Sequence, residues 1–507
     1  MLPFLKKETN RTEKYTVQFR GLNYDEGSVD GELIDCTNLS SEKFPYMTSR
    51  RQRTRVAQYG TSGTLHVKEG LLVIENQRVS YNGVTVGAIS PGRKQTATIG
   101  NYIVIFPDKM YYDTVKNEYR PMEEHYRATG LVFTENTITT TGNDWRFRVG
   151  DAVEISGCSV AGNNKTIIVR GVEGKVLTFY DYSFEAATEA GEVAVIRRVP
   201  DLEYICESNY RLWGVKDNTI LGSKYGDPLN FFNYDGLSGD SYYIDVGSEG
   251  KFTGCAPYGS HICFFKENTL HKLYGSKPSN YQLLTSQVYG VQEGSERSIC
   301  TINEQLIYKG VHGVYAYSGG IPERLDKFGA RRFSDAAAAT DGEKYYISMR
   351  SGSEWNLFVY DMLKGIWLRE DGIHAVDLAA HEGSVYILEE SGGLYRVDRD
   401  AERTGVEWSA TFRPFNETMD ERKGYSRFNM RVEMAAGSSL AVEVKADHDR
   451  DWRPVYDIAV NQDKAGRIIS IPIIPTRTDS ISIRVSGVGD CTIKALVREF
   501  TVGSDVI

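Results

Sequence analysis

Apolar and polar positions alternate with period two through Glu343-Lys-Tyr-Tyr-Ile-Ser-Met349, where Tyr345 and Ile347 interleave with Tyr346 and Ser348. Such alternation in an aromatic and β-branched run predicts a strand. A second run, Asn356-Leu-Phe-Val-Tyr-Asp-Met-Leu-Lys-Gly-Ile-Trp367, passes through the turn residues Asp361 and Gly365 before Ile366 and Trp367 resume the apolar pattern. Together the two runs predict a hairpin. Relatives of the first run occur at Glu69–Ile74, Gly100–Phe106, Ser208–Gly214, Gly259–Phe265, Asn303–Tyr308 and Glu382–Leu388, seven units in all. Each is followed by a partner strand, at Asn76–Tyr81, Asp108–Tyr112, Asn218–Gly222, Asn268–Tyr274, Gly313–Tyr317 and Gly393–Val397. Where uninterrupted, the spacing is about 40 residues, the period of four-stranded propeller blades. An open solenoid would also repeat, but the spacing varies and no Gly or Leu ladder recurs, which favours radial closure.

The period fails in three places, and these set the expected domain limits. Residues 1–60 read as an extended arm, with one candidate strand at Tyr15–Asn23 and turn residues thereafter. Residues 126–197 interrupt the blades with short strands rich in Gly and Asn, predicting an inserted small β-barrel on a tolerant interblade loop. After Asp398, six alternating strands predict a β-sandwich over 404–507, with Pro454 marking an edge strand or a strand start. The fold class expected is therefore all-β: a β-propeller of about seven blades over 61–125 and 198–398, an inserted small β-barrel and a C-terminal β-sandwich.

Composition supports this picture and narrows the chemistry. The chain has 507 residues, 32 Tyr, 20 Phe and 49 Gly against 14 Pro, a profile of short strands and tight turns. A formal net charge of −9 argues against a general nucleic-acid-binding surface, although a conduit for DNA should itself avoid strong phosphate contacts. Seven scattered Cys without a Cys-x-x-Cys pair predict reduced, mostly buried thiols. The segment beginning Met1-Leu-Pro-Phe has too short an apolar stretch for a signal peptide, and no run of about 18 apolar residues predicts a membrane anchor.

Candidate sites are few. The dense basic run Arg50-Arg-Gln-Arg-Thr-Arg55 places Arg50, Arg51, Arg53 and Arg55 as candidate interface or DNA-facing residues; a solvated turn or salt bridges to an acidic neighbour is the competing reading. The aromatic, Gly-rich stretch Leu229–Gly250 reads as an interblade connection or a ligand loop. Asp447-His-Asp-Arg-Asp451 resembles the first half of a calcium loop but lacks the following Gly and the distal Glu, so a charged hairpin tip is expected. The eight His are dispersed, with no metal pair, nucleophile elbow or phosphate-cradling loop. A propeller glycosidase would need paired carboxylates, and the Ser-x-Asp-x-Gly-x-x-Trp turn common in such enzymes is absent. No catalytic residue, cofactor or metal is expected.

The order of parts carries a resemblance. Gly21-Leu-Asn-Tyr, then Asp30-Gly-Glu-Leu-Ile-Asp-Cys-Thr-Asn-Leu39 and the Arg50 to Arg55 segment precede blades, a barrel containing Val149-Gly-Asp-Ala-Val-Glu-Ile-Ser-Gly157, and a sandwich. This resembles the propeller-bearing tail and neck proteins of tailed bacteriophages, of nozzle or head-to-tail stabilisation type. The resemblance implies a non-enzymatic virion component assembled in the bacterial host cytoplasm. Its implied partners are copies of itself in a ring, neighbouring tail or neck proteins, and genome DNA passing without sequence-specific binding. A host-surface or glycan-binding tail module is the alternative, and a propeller glycoside hydrolase the residual one.

Overall fold

The computed structural model describes residues 11–27, 29–61, 63–417, 421–462, 464–474 and 477–502, with the backbone alone at 464–466. The reading of the Met1 segment lies outside the described residues. The protein is nearly all-β, made of many small antiparallel sheets, and the described residues include no α-helix.

Among the described residues seven four-stranded sheets carry the repeat, here numbered I (63–88), II (95–121), III (204–245), IV (252–287), V (300–324), VI (334–369) and VII. In sheets I to VI the strands follow one another in sequence. Sheet VII combines Ala375–His381, Ser384–Glu389 and Gly393–Val397 with Arg53–Gln58, which returns from the start of the chain to form its outer edge. The apolar runs read from sequence are the second strands of these sheets.

Side-chain alternation shows how the sheets face one another. Ile103 and Ile105 of sheet II pack with Leu72 and Ile74 of sheet I, whereas Val104 and Phe106 on the opposite face pack with Leu212 of sheet III. Ile262 and Phe264 of sheet IV meet Trp213 of sheet III, and Cys263 and Phe265 turn to Leu306 and Tyr308 of sheet V. Sheets V and VI share Ile307, Val314, Tyr345 and Phe358; VI and VII share Tyr346, Leu357 and Ile387. Leu388 and Leu394 of sheet VII then pack on Leu65 and Val73 of sheet I. The series therefore closes on itself in propeller-like fashion. Strands covered on both faces need apolar residues at every position, which is why the second strands read as continuous hydrophobic runs. Each fully buried Ile or Phe contributes about 1.5–3 kcal/mol.

Residues 124–197 form two further sheets around one core. Glu124–Ala128, Val193–Arg197, Ala152–Ser156 and Thr166–Ile168 make one, and five short strands between Leu131 and Glu189 make the other. Phe133, Trp145, Phe147, Val153, Phe179 and Val195 fill the space between them.

The segment expected as an extended arm joins the C-terminal region. Residues 11–49 supply strands to two sheets built mainly from the C-terminal region. In the first, Arg11–Thr16 and Met47–Ser49 both pair with Cys491–Val502. In the second, Glu32–Thr37 pairs with Glu407–Phe412, and Arg453–Ala459, carrying Pro454, lies at the far edge. Leu22, Leu33, Leu39 and Met47 are buried in the same core as Phe428, Val442, Ile483 and Leu496. The arm's strands have no core of their own and gain one only from partners more than 350 residues away. The unit also packs on the ring: Gly21, at φ +75°, lies where a Cβ would stand 2.5 Å from the Trp367 carbonyl oxygen of sheet VI. Asn23 donates to Glu32 at 2.9 Å, and the Arg331 guanidinium lies 3.4 Å from the Tyr24 ring centre. The Gly21-Leu-Asn-Tyr segment is thus a seam between the terminal unit and the ring.

Candidate functional site

The basic run sits at that seam and turns inward. Arg53 is buried, with 2.6 Å to Glu370 and 2.9 Å to Asp371, and Arg50 reaches the same Asp371 at 3.2 Å and Asn38 at 2.7 Å. Burial opposes ionisation of Asp371, but Arg53 and then Arg50 hold its carboxyl below the usual range. Arg51 pairs with Glu42 at 3.1 Å and donates to the Ala401 carbonyl at 2.8 Å. Arg55 is exposed and bonds Gln58 on its own strand. Of the four residues proposed as interface or DNA-facing, the fold therefore spends three on internal contacts that fasten the returning strand. The run is not a continuous basic surface.

The Leu229–Gly250 stretch is pinned by the insertion. Asn230 exchanges hydrogen bonds with Asp151 (2.9 Å) and the Ala152 amide (3.0 Å), Asn233 donates to the Gly150 carbonyl at 2.9 Å, and Asp235 pairs with Arg170 at 2.7 Å. Behind these contacts Asp151 forms a buried pair with Arg197 at 2.6 Å. On the outside, Tyr180, Tyr210, Tyr225, Tyr234, Leu237 and Tyr243 are each at least half exposed. Tyr234 and Tyr243 lie 5.7 Å apart between ring centres, as do Tyr210 and Tyr225.

The Asp447–Asp451 string is a hairpin turn whose carboxylates are used locally. Asp447 accepts from Thr478 and from the Asp479 amide, and Asp449 pairs with Arg453 at 3.0 Å. Among the described residues no group of three or more His, Cys, Asp or Glu is placed to hold a metal ion. Among these residues, too, no helix is long and apolar enough to cross a membrane. His66 lies between Thr96 and Thr98, and His271 between Ser248 and Thr285; burial lowers both to about 4. Burial also pushes the thiols of Cys36, Cys263 and Cys491 up to about 12, which makes them poor nucleophiles.

One constellation was not legible in the sequence. At the starts of the innermost strands, a cavity of about 450 Å³ is lined by Arg93, Arg297, Asp335, Arg350, Trp355 and His374, with small residues such as Gly63, Gly294, Ala336 and Ala375 between them. Arg297, in the turn before sheet V, donates to the Val376 carbonyl (3.0 Å), Thr64 hydroxyl (2.9 Å) and Lys94 carbonyl (3.0 Å), and pairs with Asp377 at 3.3 Å. These partners belong to sheets VII and I and to the approach to sheet II, so its guanidinium ties these three segments to the turn before sheet V. Burial pushes the Asp377 carboxyl above the ordinary range, with Arg297 opposing the shift. Irregular registers at Ser334/Ala337 and Ala375/Asp377 bend the first strands of sheets VI and VII around the cavity. Asp335 sits in the first of these bulges at φ +53°, where its carboxylate meets Arg350 at 2.6 Å. Arg350 and Trp355 are directly opposed across the sheet VI hairpin, and the Trp355 ring stacks on His374 at 3.6 Å and 12°.

No family model matches the chain, and no curated protein matches it. Among solved structures it is similar to BamB from Moraxella catarrhalis at 10% identity and TM-score 0.35, over 69% of this chain and 97% of that one. It is also similar to the exo-β-1,3-galactanase of Phanerochaete chrysosporium (9%, TM-score 0.23, 57% of this chain and 92% of that one). A third is the extracellular domain of a hybrid two component system from B. thetaiotaomicron (10%, TM-score 0.38, 89% and 65%). At these scores the likenesses carry no argument about what this chain does.

Proposed function

We propose that this chain is a structural subunit of a tailed bacteriophage virion, copies of which form a ring in the tail or neck and line part of the DNA conduit. The observation that carries the reading is the order of modules. Seven sheets closed on one another, read as seven propeller blades, are interrupted by a two-sheet insertion read as a small barrel and joined to a two-sheet sandwich. That order is the one the resemblance attaches to nozzle and stabilisation proteins. Two features support it further. Arg297 ties sheets VII and I and the approach to sheet II to the turn before sheet V, which fits a conduit running between copies and not through one. Arg50, Arg51 and Arg53 are engaged internally and the net charge is −9, which leaves passing DNA little to adhere to. The subunit is read as non-enzymatic, without cofactor or membrane anchor, assembling in the host cytoplasm with itself and with neighbouring tail or neck proteins. Single-particle imaging of the assembled particle tests this: a closed ring of this chain around the DNA axis is expected, and isolated peripheral copies would overturn it.

A second reading, a host-surface or glycan-binding tail module, is favoured by the exposed tyrosines around Leu229–Gly250, since rigid aromatic side chains with a polar tip suit interfaces. Host-cell binding that Tyr234→Ala and Tyr243→Ala abolish would support it; intact binding in both variants would end it.

A further inference from the structure

We infer that the cavity at the mouth of the ring is a binding site for a neutral saccharide. Its volume of about 450 Å³ falls within the range of small-molecule pockets. The space exists because Gly63, Gly92, Gly294, Ala336, Ala337 and Ala375 keep side chains out of it. Arg350 pairs with Asp335, the carboxylate of the lining, at 2.6 Å, while Arg93 and Arg297 pair with Glu296 (2.9 Å) and Asp377 (3.3 Å), buried carboxylates that do not line the cavity. The Arg93 and Arg350 side chains remain nearly half exposed, at 46% and 47%, although Arg93 also donates to the Gly294 carbonyl at 3.3 Å.

The pairing decides the ligand class. Three guanidiniums line the cavity, but each already faces a carboxylate, so an incoming anion would have to compete with that partner. A hydroxyl both donates and accepts, so vicinal hydroxyls can bridge Arg350 and Asp335 without breaking the pair. Asp335 is held in place by Ser334 at 2.9 Å, so this acceptor is preorganised. The stacked pair of Trp355 and His374, both partly exposed, supplies a flat wall for the apolar face of a sugar ring. His374 is oriented by Glu390, 2.8 Å from its Nδ1.

The inference does not rest on ring assembly, and it concerns a different surface from the exposed tyrosines. It is tested with the full chain by calorimetry and ligand-observed NMR. The probes are glucose, galactose, N-acetylglucosamine, maltose and cellobiose, with glucuronate and inorganic phosphate as anionic counterparts. At least one neutral saccharide is expected to bind, with affinity falling at least about tenfold in Trp355→Ala and in Arg350→Ala. Arg350 is exposed enough that its replacement should leave the melting temperature near that of the parent, which guards against a folding defect. Absence of binding by every neutral probe, tighter binding of glucuronate or phosphate, or unchanged affinity in both variants would each overturn it. So would binding lost in Tyr234→Ala but kept in Trp355→Ala, which would move the site to the tyrosine surface. Particle imaging reads the ring proposal separately.

Discussion

The seven sheets of the ring and the double-sheet unit at the chain ends use similar strands but assemble them across opposite distances in sequence. Sheets I to VI each close within about 50 residues, whereas the terminal unit joins Arg11–Thr16 to Cys491–Val502 and Glu32–Thr37 to Glu407–Phe412. In the ring, stability is divided among neighbour-to-neighbour cores, one for each pair of adjacent sheets. In the terminal unit a single core merges with that of sheets V and VI. The lesson is that the ring depends on one long-range strand, Arg53–Gln58, while each sheet of the terminal unit depends on pairing between the two ends of the chain.

The largest expected effect breaks the terminal unit. Arg498 is buried, donates to Glu417 at 2.7 Å and Thr16 at 2.5 Å, and lies over the Phe415 ring at 3.9 Å, so it ties first strand to last. Arg498→Ala should cost about 3–5 kcal/mol, because it takes the charge partner from the buried Glu417 carboxylate. Hydrogen exchange should show the loss concentrated in 11–49 and 407–502; a loss spread evenly through sheets I to IV would contradict the division. Next comes the joint. Arg53→Ala should cost about 2 kcal/mol by leaving Glu370 and Asp371 to Arg50 alone, and denaturant titration should find protection lost first in sheet VII.

Acid sharpens the comparison from the other side. His66 and His271 lie in sheets I and IV and titrate near 4, below the ordinary 6.5. Between those values the unfolded chain binds protons that the folded ring refuses. Their contribution is therefore complete above pH 6.5 and lost as pH falls toward 4, on the order of 2–3 kcal/mol for each. Thermal melts across this window should show the ring weakening before the terminal unit, and His66→Gln should remove part of the slope. The smallest effect is at Arg55: its replacement by Ala should change stability by less than about 0.5 kcal/mol, as expected of an exposed side chain. A larger loss on calorimetric melting would mean that Arg55 does more than bond Gln58.

Legibility followed burial on two faces. The second strands of the sheets stand out because neighbours cover both sides, as with Ile103–Phe106 and His261–Lys266. The first strands are harder to see: Ala336 to Ala339 are small because the strands converge near the axis, so their burial leaves no bulky alternation. Arg53–Gln58 is an outer edge with mostly exposed positions, and Gly21–Leu22 and Leu39–Ser40 are too short for any period. The four arginines of the basic run could be found but not oriented, since Glu370 and Asp371 lie far away in sequence. The axial cavity draws Arg93, Arg297, Asp335, Arg350, Trp355 and His374 from separate segments, and no local motif joins them.

The late partner of Arg53–Gln58 also sets a birth order for the molecule. This strand leaves the ribosome long before Gly393–Val397, the strand it pairs with, so at ordinary synthesis speeds it waits on the order of half a minute with its backbone groups unpaired. Its sequence, Arg-Thr-Arg-Val-Ala-Gln, suits that interval: charge and polarity discourage a waiting edge from pairing with a neighbouring nascent chain. The arginines that fasten the finished ring thus also chaperone its unfinished one.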